Sequence, residues 1–354
     1  MLTKLLHELA GLALLAVFTG FVFALGEMLR RRGRLTPEQS RKMLHIGGCA
    51  TAFAFPFLFT SHWTVLAICG GFFLLIAFLG RRGALHAVSD VERKSYGSLL
   101  HPVALYICYR LADYNHNFAF YEIAILVLAL SDTAAAFVGQ RYGHLRYRVD
   151  KKDFRTLEGS VFFFLVTYAL VHHILLLALK MAPLEATVLS LMIAILVTLF
   201  EAVSLGGADN IAVPLGVMAI LIKNAHPCLH AMTEQLVFMG VSFAVTCAAM
   251  RLFGVMEGSG RVVTALLVYL SAGLISPWWG VMTLIAAFLV HCSHTLRLQE
   301  VRTVFALWGV PFLTVMAFNL AEKLAGWRNL VFATPVYALM LLMSCFLVRQ
   351  YEKR

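Results

Sequence analysis

The chain has 354 residues, of which 60% are hydrophobic and 14% charged, and its mean hydropathy is +0.81. A chain this apolar cannot cover itself with polar surface, so the composition excludes a soluble globular protein and indicates a polytopic membrane protein. The formal net charge is +10 at pH 7, but the basic residues fall in short breaks between apolar runs. We therefore expect these residues to set membrane topology, and we expect no nucleic-acid partner.

Apolar runs taken in chain order predict an all-α fold, a polytopic helical membrane bundle of about thirteen transmembrane helices. Crossing about 30 Å of hydrocarbon takes roughly 20 helical residues, and runs near this length recur along the chain. The predicted spans are 7–29, 43–59, 63–80, 98–112, 119–138, 159–179, 186–203, 211–223, 232–251, 262–275, 278–292, 304–320 and 329–348.

Basic residues also predict the orientation of the chain. The first span is followed by Arg30, Arg31, Arg32 and Arg34, so we expect it to be retained in the membrane with the N-terminus outside. If the spans alternate from there, the side that holds the break at 139–158 carries 23 of the 29 Lys and Arg residues, which predicts that this side is cytoplasmic. We therefore expect an integral protein of a bacterial inner membrane, with a cytoplasmic C-terminus.

Three acidic residues lie at this predicted cytoplasmic boundary. Asp132 falls within the last two turns of the fifth predicted span, and Glu201 and Asp209 flank the segment EAVSLGGADNIAVPL. Acidic side chains at the hydrocarbon boundary are costly unless they are paired or bind a cation. Carboxylates together with substrate phosphates are typical ligands of Mg²⁺. The pattern therefore favours a site for a metal ion and a phosphorylated substrate.

The segment SDTAAAFVGQRYGHLRYRVDKKDFRTLEGS, residues 131–160, adds basic residues to these acids. Lys151, Lys152 and Arg155 supply the positive charge that bound phosphates need. Taken alone, such residues more often orient a membrane protein or contact lipid headgroups.

Other residues of this segment also have a structural interpretation. Gly139 and Gly143 form a small-residue pair that is typical of close helix packing in membranes. Thr156 is predicted to cap a helix, with Glu158 favoured in the first turn that follows. The occurrence of all these residues within one short segment, beside three acids, favours a functional site.

Four motifs in this order resemble the dolichol kinase and phytol kinase group of CTP-dependent polyprenol kinases: RKMLHIGG (41–48), SDTAAAFVGQRYG (131–143), KKDFRTLEGS (151–160) and EAVSLGGADNIAVPL (201–215). The resemblance covers roughly residues 40 to 222. It implies that a lipid alcohol such as phytol or dolichol is phosphorylated from CTP with Mg²⁺. The implied partners are the lipid alcohol, the nucleotide and the surrounding membrane lipids.

The resemblance also implies roles for individual residues. The catalytic acids would be Asp132, Glu158, Glu201 and Asp209, with Asp132 and Asp209 holding the metal. Which of the four accepts the proton of the alcohol stays open. The nucleotide and its phosphates would be contacted by Arg41, Lys42, His45, Gly139, Gly143, Lys151, Lys152, Arg155, Thr156 and Asn210. In one departure, the family often has Lys-Thr before its Glu-Gly, whereas Arg155 precedes Thr156 here, and a planar guanidinium does not simply replace an ammonium.

Two other interpretations remain. CTP-dependent phosphatidate cytidylyltransferases also pair an Asp-containing helix end with a Lys-Thr-x-Glu-Gly segment, but their later motif carries more aspartates than the GGADN found here. A transporter would suit about thirteen spans. Transporters tend to place ionisable residues near the midplane, however, whereas the acids here crowd one predicted boundary, which favours chemistry on a lipid headgroup.

The chain is expected to divide into three segments. Residues 1–39 would form an N-terminal helix and a basic loop, and residues 40–225 a catalytic membrane domain of the polyprenol kinase type. Residues 226–354 would form helices that serve as a scaffold or as the wall of a lipid cavity.

The cysteines are not predicted to bind metal. The seven occur singly, in or near the predicted spans and without the spacing of metal ligands. We interpret them as small apolar packing residues.

Overall fold

The computed structural model describes residues 2–81, 97–150, 153–204, 206–252, 258–275, 280–281 and 283–285. These residues are mostly helical, as predicted. Lys151 and Lys152 lie outside the described residues, as do the predicted spans at 304–320 and 329–348 and much of the predicted scaffold segment. The division into segments at 39 and 225 stays a prediction.

Five of the described helices are long and apolar enough to cross a membrane: Leu6–Arg31, Phe118–Tyr142, Leu157–Ala178, Pro183–Val203 and Leu229–Leu252. The helical, membrane-spanning class is therefore confirmed, and the count of about thirteen spans is not. Several predicted spans correspond to shorter apolar helices, such as His62–Phe78 and Gly260–Gly273.

Eleven α-helices and two strands order the described residues. They are α1 Leu2–Arg31, α2 Pro37–Phe53, α3 Phe55–Leu58, α4 His62–Arg81, α5 Gly97–Tyr114, α6 Phe118–Tyr142, β1 Arg146–Asp150, β2 Asp153–Thr156, α7 Leu157–His173, α8 Pro183–Val203, α9 Asp209–Lys223, α10 Leu229–Leu252 and α11 Gly258–Leu270. One turn of π-helix continues α7 at Ile174–Ala178 and another continues α11 at Ser271–Ile275. The chain divides into two compact units, of which the first comprises Met1–Arg146 and Arg155–Met232.

Helix α6 is central to the first unit and packs against α2, α5, α7 and α9. Its side chains Ile123, Val127 and Leu128 are fully buried. The hydroxyl of Thr167 on α7 donates to Ser131 Oγ on α6 at 2.8 Å, and both residues are fully buried. This bond satisfies two polar groups inside the bundle, where an unpaired hydroxyl is costly.

The start of α2 follows from its sequence. Thr36 Oγ1 accepts from the backbone N–H of Gln39, while the Gln39 side chain accepts from the backbone N–H of Thr36. This capping box, with Pro37 at the first helical position, fixes the helix start. The basic motif RKMLH therefore lies in the second and third turns of α2.

The end of α6 differs from the prediction. The helix continues to Tyr142 instead of ending at 138, so Asp132 lies ten residues before its end, about 15 Å along the axis. Asp132 is thus deeper than the last two turns. The predicted loop that follows contains a two-stranded sheet of β1 and β2, whose Tyr, Val, Phe and Thr residues favour strands.

Candidate active site

Lys42 and His45 of α2 face Asp132 of α6. The Lys42 ammonium donates to Asp132 Oδ2 at 2.6 Å, and His45 Nε2 lies 3.6 Å from the same oxygen. The spacing of three residues places both basic side chains on one face of α2. The side chains of Lys42 and Asp132 are only 17% and 13% exposed, so each charge depends on the other to remain in this environment.

A second set of ion pairs centres on Arg155, which lies in β2 just before α7. Its guanidinium forms ion pairs with Glu201 at the end of α8 and with Asp209 at the start of α9, the latter at 3.2 Å. It also donates to the carbonyl of Ser204 at 3.3 Å. The forked guanidinium suits this task, because it can bind two carboxylates at once.

The turn between α8 and α9 brings the two acids to one guanidinium. Gly206 and Gly207 have φ angles of 59° and 85°, in the left-handed region that glycine adopts without strain. The GG of the GGADN motif is therefore needed for the turn. It allows Glu201 and Asp209, which lie on different helices, to face Arg155 together.

The two sets of ion pairs are neighbours. Asp132 and Arg155 interact electrostatically, and Glu201 interacts with both Asp132 and Lys42. We call these residues the charge network: Lys42, Asp132, Arg155, Glu201 and Asp209. Three carboxylates face two cations here, which is a costly arrangement inside an apolar bundle and makes these residues the candidate site.

The carboxylates keep Arg155 charged. Burial alone would lower the pKa of its guanidinium, but Glu201 and Asp209 outweigh this effect and raise the pKa above its ordinary value. Arg155 therefore carries a permanent positive charge.

Several polar atoms at this site lack partners within the described part of the chain. They are Glu201 Oε2, Arg155 Nε and Ser204 Oγ, all of them buried. Buried polar atoms in proteins almost always have a hydrogen-bond partner, so atoms of this kind indicate a place for a ligand or water. Ser204 was not predicted as a site residue, although it lies inside the EAVSLGGADN motif.

The carboxylates of the charge network are of the type that Mg²⁺ binds. Asp132 and Asp209 offer hard oxygen donors, and Mg²⁺ typically takes one or two carboxylates together with substrate phosphates. Each aspartate has one oxygen in an ion pair, with Lys42 or Arg155. The donor chemistry fits Mg²⁺, provided that a bound nucleotide draws these cations towards its phosphates.

Glu158 has a different environment from the charge network. Its Oε1 accepts hydrogen bonds from the backbone N–H groups of His144 and Leu145 at 2.9 and 3.0 Å. Within the described residues it forms no ion pair with Lys42 or Arg155. Glu158 therefore anchors the turn after α6 to the start of α7.

Thr156, Gly139 and Gly143 form the joint between α6 and α7. Thr156 caps α7, because its Oγ1 accepts from the backbone N–H of Gly159 at 3.2 Å. A Cβ at Gly139 would lie 2.6 Å from this oxygen, and a Cβ at Gly143 would lie 2.5 Å from the Thr156 methyl carbon. These residues permit close helix packing and so help to place Arg155, the neighbour of Thr156, beside Glu201 and Asp209.

Two other predicted contacts, Arg41 and Asn210, are sequence neighbours of network residues. Arg41 is half-buried and directly precedes Lys42 in α2. Asn210 is the second residue of α9, and its backbone N–H donates to Asp209 Oδ1 at 3.0 Å. Both residues are therefore adjacent in sequence to members of the network.

Comparison with known proteins identifies the family. Over 211 residues the chain is 33% identical to the phytol kinase of Synechocystis sp.. The match covers 57% of this chain and 86% of that protein. No protein-family model matches the chain, and no solved structure matches it. With a match of this identity over most of the relative, the chain belongs to the phytol kinase family.

Proposed function

We propose that the protein is a membrane kinase that transfers the γ-phosphate of CTP to a prenol-type lipid alcohol such as phytol or dolichol. The observation that carries the proposal is the charge network, in which two cations and three carboxylates meet in the family's ordered motifs. The family relation supports a kinase that acts on an alcohol. The choice of CTP as donor rests on the resemblance of the four motifs to polyprenol kinases.

The cations of the network supply what phosphoryl transfer requires. Catalysis of this reaction depends mainly on positioning and on positive charge around the transferring phosphate. Arg155 is the better phosphate ligand, since its fork can hold two phosphate oxygens, and Lys42 adds a point charge. On nucleotide binding, both side chains would exchange a carboxylate partner for a phosphate oxygen.

This exchange would leave the carboxylates able to hold a metal ion. Asp132 and Asp209 are the residues that we propose for Mg²⁺. When bound, Mg²⁺ would neutralise charge on the phosphate groups of the nucleotide.

The proton of the alcohol needs an acceptor within the network. Glu201 has a buried carboxylate oxygen, Oε2, without a partner among the described residues. In the proposed step, the alcohol oxygen bonds to the γ-phosphorus, the bond from that phosphorus to the bridging oxygen breaks, and CDP leaves. The hydroxyl proton passes to Glu201 Oε2.

The orientation of the site is part of the proposal. The positive-inside pattern supports a site reached from the cytosol, with the alcohol headgroup at the interface and its chain between the helices. The nucleotide would then approach from the cytosol, and the lipid alcohol from the membrane.

The test uses purified protein in lipid nanodiscs with CTP labelled either at the γ-phosphate or at the α-phosphate. Phytol, dolichol, a shorter polyprenol, diacylglycerol and phosphatidate are offered in parallel, and γ-labelled ATP replaces CTP in a separate set of reactions. We expect lipid product labelled from γ-CTP only. Label from α-CTP would instead identify a cytidylyltransferase, and absence of lipid labelling with every pair would refute the kinase proposal.

A further inference from the structure

A second group of metal-ligating side chains lies beside the charge network. His45 and Cys49 are one turn apart on α2, and His101 lies near the start of α5. One ligand atom from each of the three residues lies within 4.8 Å of the other two. The His45 and His101 rings are 5.2 Å apart between centroids, and Cys49 Sγ lies 3.9 Å from His45 Nε2.

His101 is the observation that points to a ligand. Both nitrogens of its ring are buried, and neither has a hydrogen-bond partner among the described residues. The ring lies directly against α2, because a Cβ at Gly48 would be 3.7 Å from His101 Nε2. An imidazole with two unsatisfied nitrogens is costly in an apolar interior, unless a nitrogen coordinates an ion.

We propose that His45, Cys49 and His101 bind one transition-metal ion of borderline-soft character, with Zn²⁺ as the foremost candidate. Two imidazoles and a thiolate are typical zinc ligands, whereas Mg²⁺ and Ca²⁺ prefer oxygen. Ligands around tetrahedral zinc lie about 3.3–3.8 Å apart. The three side chains therefore need only small rotations to coordinate the ion, and the Cys49 thiol gives up its proton when it binds.

The ion would join α2 to α5 beside the charge network. His45 Nε2 lies 3.6 Å from Asp132 Oδ2, so a metal at this position fixes the part of α2 that also carries Lys42. Three protein ligands leave a fourth coordination position for water or another small ligand. Its three ligands differ from the carboxylates proposed for Mg²⁺, although Asp132 is a neighbour, and the metal measurement does not depend on the kinase proposal.

Metal content provides the first test. The protein is purified with a tag that lacks histidine, without nucleotide or lipid substrate, and its metals are measured by mass spectrometry after loading with zinc and removal of free ions. We expect about one zinc ion per chain, as a single site of this ligand set binds. The Cys49→Ser and His101→Gln variants should lose most of the bound zinc, whereas the Cys108→Ser variant should retain it. Cys108 is a matched control, since it is fully buried on the same helix as His101.

Cobalt substitution provides a second test, whose first measurement is made on the wild-type protein alone. Co²⁺ bound at this site should give the near-ultraviolet charge-transfer absorption of a cobalt–thiolate bond in the wild-type protein. The same band should persist in Cys108→Ser and disappear in Cys49→Ser. The absence of zinc and of the cobalt–thiolate band from the wild-type protein would overturn the proposal, as would full metal retention by Cys49→Ser.

Discussion

Lys42 Nζ lies 2.6 Å from Asp132 Oδ2 and joins two helices whose residues are 90 positions apart in the chain. Both side chains are mostly buried, so neither charge is well solvated without the other. Such a pair contributes little net stability, but replacing only one of its two residues is strongly destabilising, because the other charge is left buried without a partner. In the proposed function, a nucleotide phosphate or a metal ion would replace one member of this pair.

This pairing predicts that a double variant can regain stability without regaining activity. Asp132→Asn leaves Lys42 without its counter-charge and should lower the free energy of unfolding by about 1–3 kcal/mol, reduced from the fully buried case by partial exposure. The double variant Lys42→Met with Asp132→Leu removes both charges and should recover much of this stability. It should remain inactive. Thermal unfolding in detergent and the γ-CTP assay measure the two effects, and an active double variant would exclude the pair from catalysis.

Arg155 predicts a graded loss of activity. Arg155→Lys keeps the positive charge but cannot bridge Glu201 and Asp209 with a fork, so kcat/KM for CTP should fall about tenfold. Arg155→Met removes the charge and should cost on the order of 100-fold or more. Arg146→Met, at an exposed position of the same hairpin, serves as the control. If Arg155→Met is as active as this control variant, Arg155 has no role in catalysis.

The sequence predicted the helices better than the contacts between them. Apolar runs near the length of a membrane span locate most of α1 to α9, because hydrophobicity and helix length are local properties. The ion pairs of Asp132 and Arg155 are set by tertiary packing and have no local signal. The extension of α6 to Tyr142 was missed because its last turn, Gly139 to Tyr142, is mostly polar.

The hydrogen-bond partners of Glu158 could not be predicted from the sequence either. Its position at the start of a helix suggested either a first-turn acid or a catalytic group, and the structure shows that its carboxylate accepts hydrogen bonds from the backbone of His144 and Leu145. Acids in the same motif set can therefore have different roles. Only the three-dimensional neighbours distinguish Glu158 from Glu201.

These neighbours predict effects of very different size for two Glu-to-Gln variants. Glu158→Gln retains an oxygen that can accept from the backbone, so kcat should stay within about threefold of the wild type. Glu201→Gln removes the proposed proton acceptor and the partner charge of Arg155, and kcat should fall on the order of 100-fold or more. Single-turnover measurements with saturating CTP compare the two directly. A larger loss from Glu158→Gln than from Glu201→Gln would contradict these roles.

The joint between α6 and α7 should tolerate little added volume. A Cβ at Gly139 would lie 2.6 Å from Thr156 Oγ1, so Gly139→Ala must displace the cap of α7 and should cost about 1–3 kcal/mol of stability. Arg155 shifts with the cap, so activity should fall as well. Gly70→Ala is the matched control, because a Cβ at Gly70 has no neighbouring atom within 4 Å. Equal thermal stability of the two variants would show that the joint is not closely packed.

The proposed orientation can be tested with two cysteine positions that are separated in the sequence by three helices. Gln140 is exposed near the end of α6, and Cys228 is exposed between α9 and α10. The intervening helices are α7, α8 and α9, so an odd number of crossings should place the two positions on different sides of the membrane.

Two single-cysteine proteins are needed, one with Gln140→Cys and one with native Cys228. In intact spheroplasts, a membrane-impermeant thiol reagent should label Cys228 at once and the cysteine at 140 only after the membrane is opened. The sharpest part of this prediction concerns α9, which has 15 residues and a length of about 22 Å, less than the roughly 30 Å of hydrocarbon. If α9 does not cross the membrane, both positions should be labelled under the same condition. If only position 140 is labelled in intact spheroplasts, the charge network faces away from the cytosol and its proposed access to CTP is wrong.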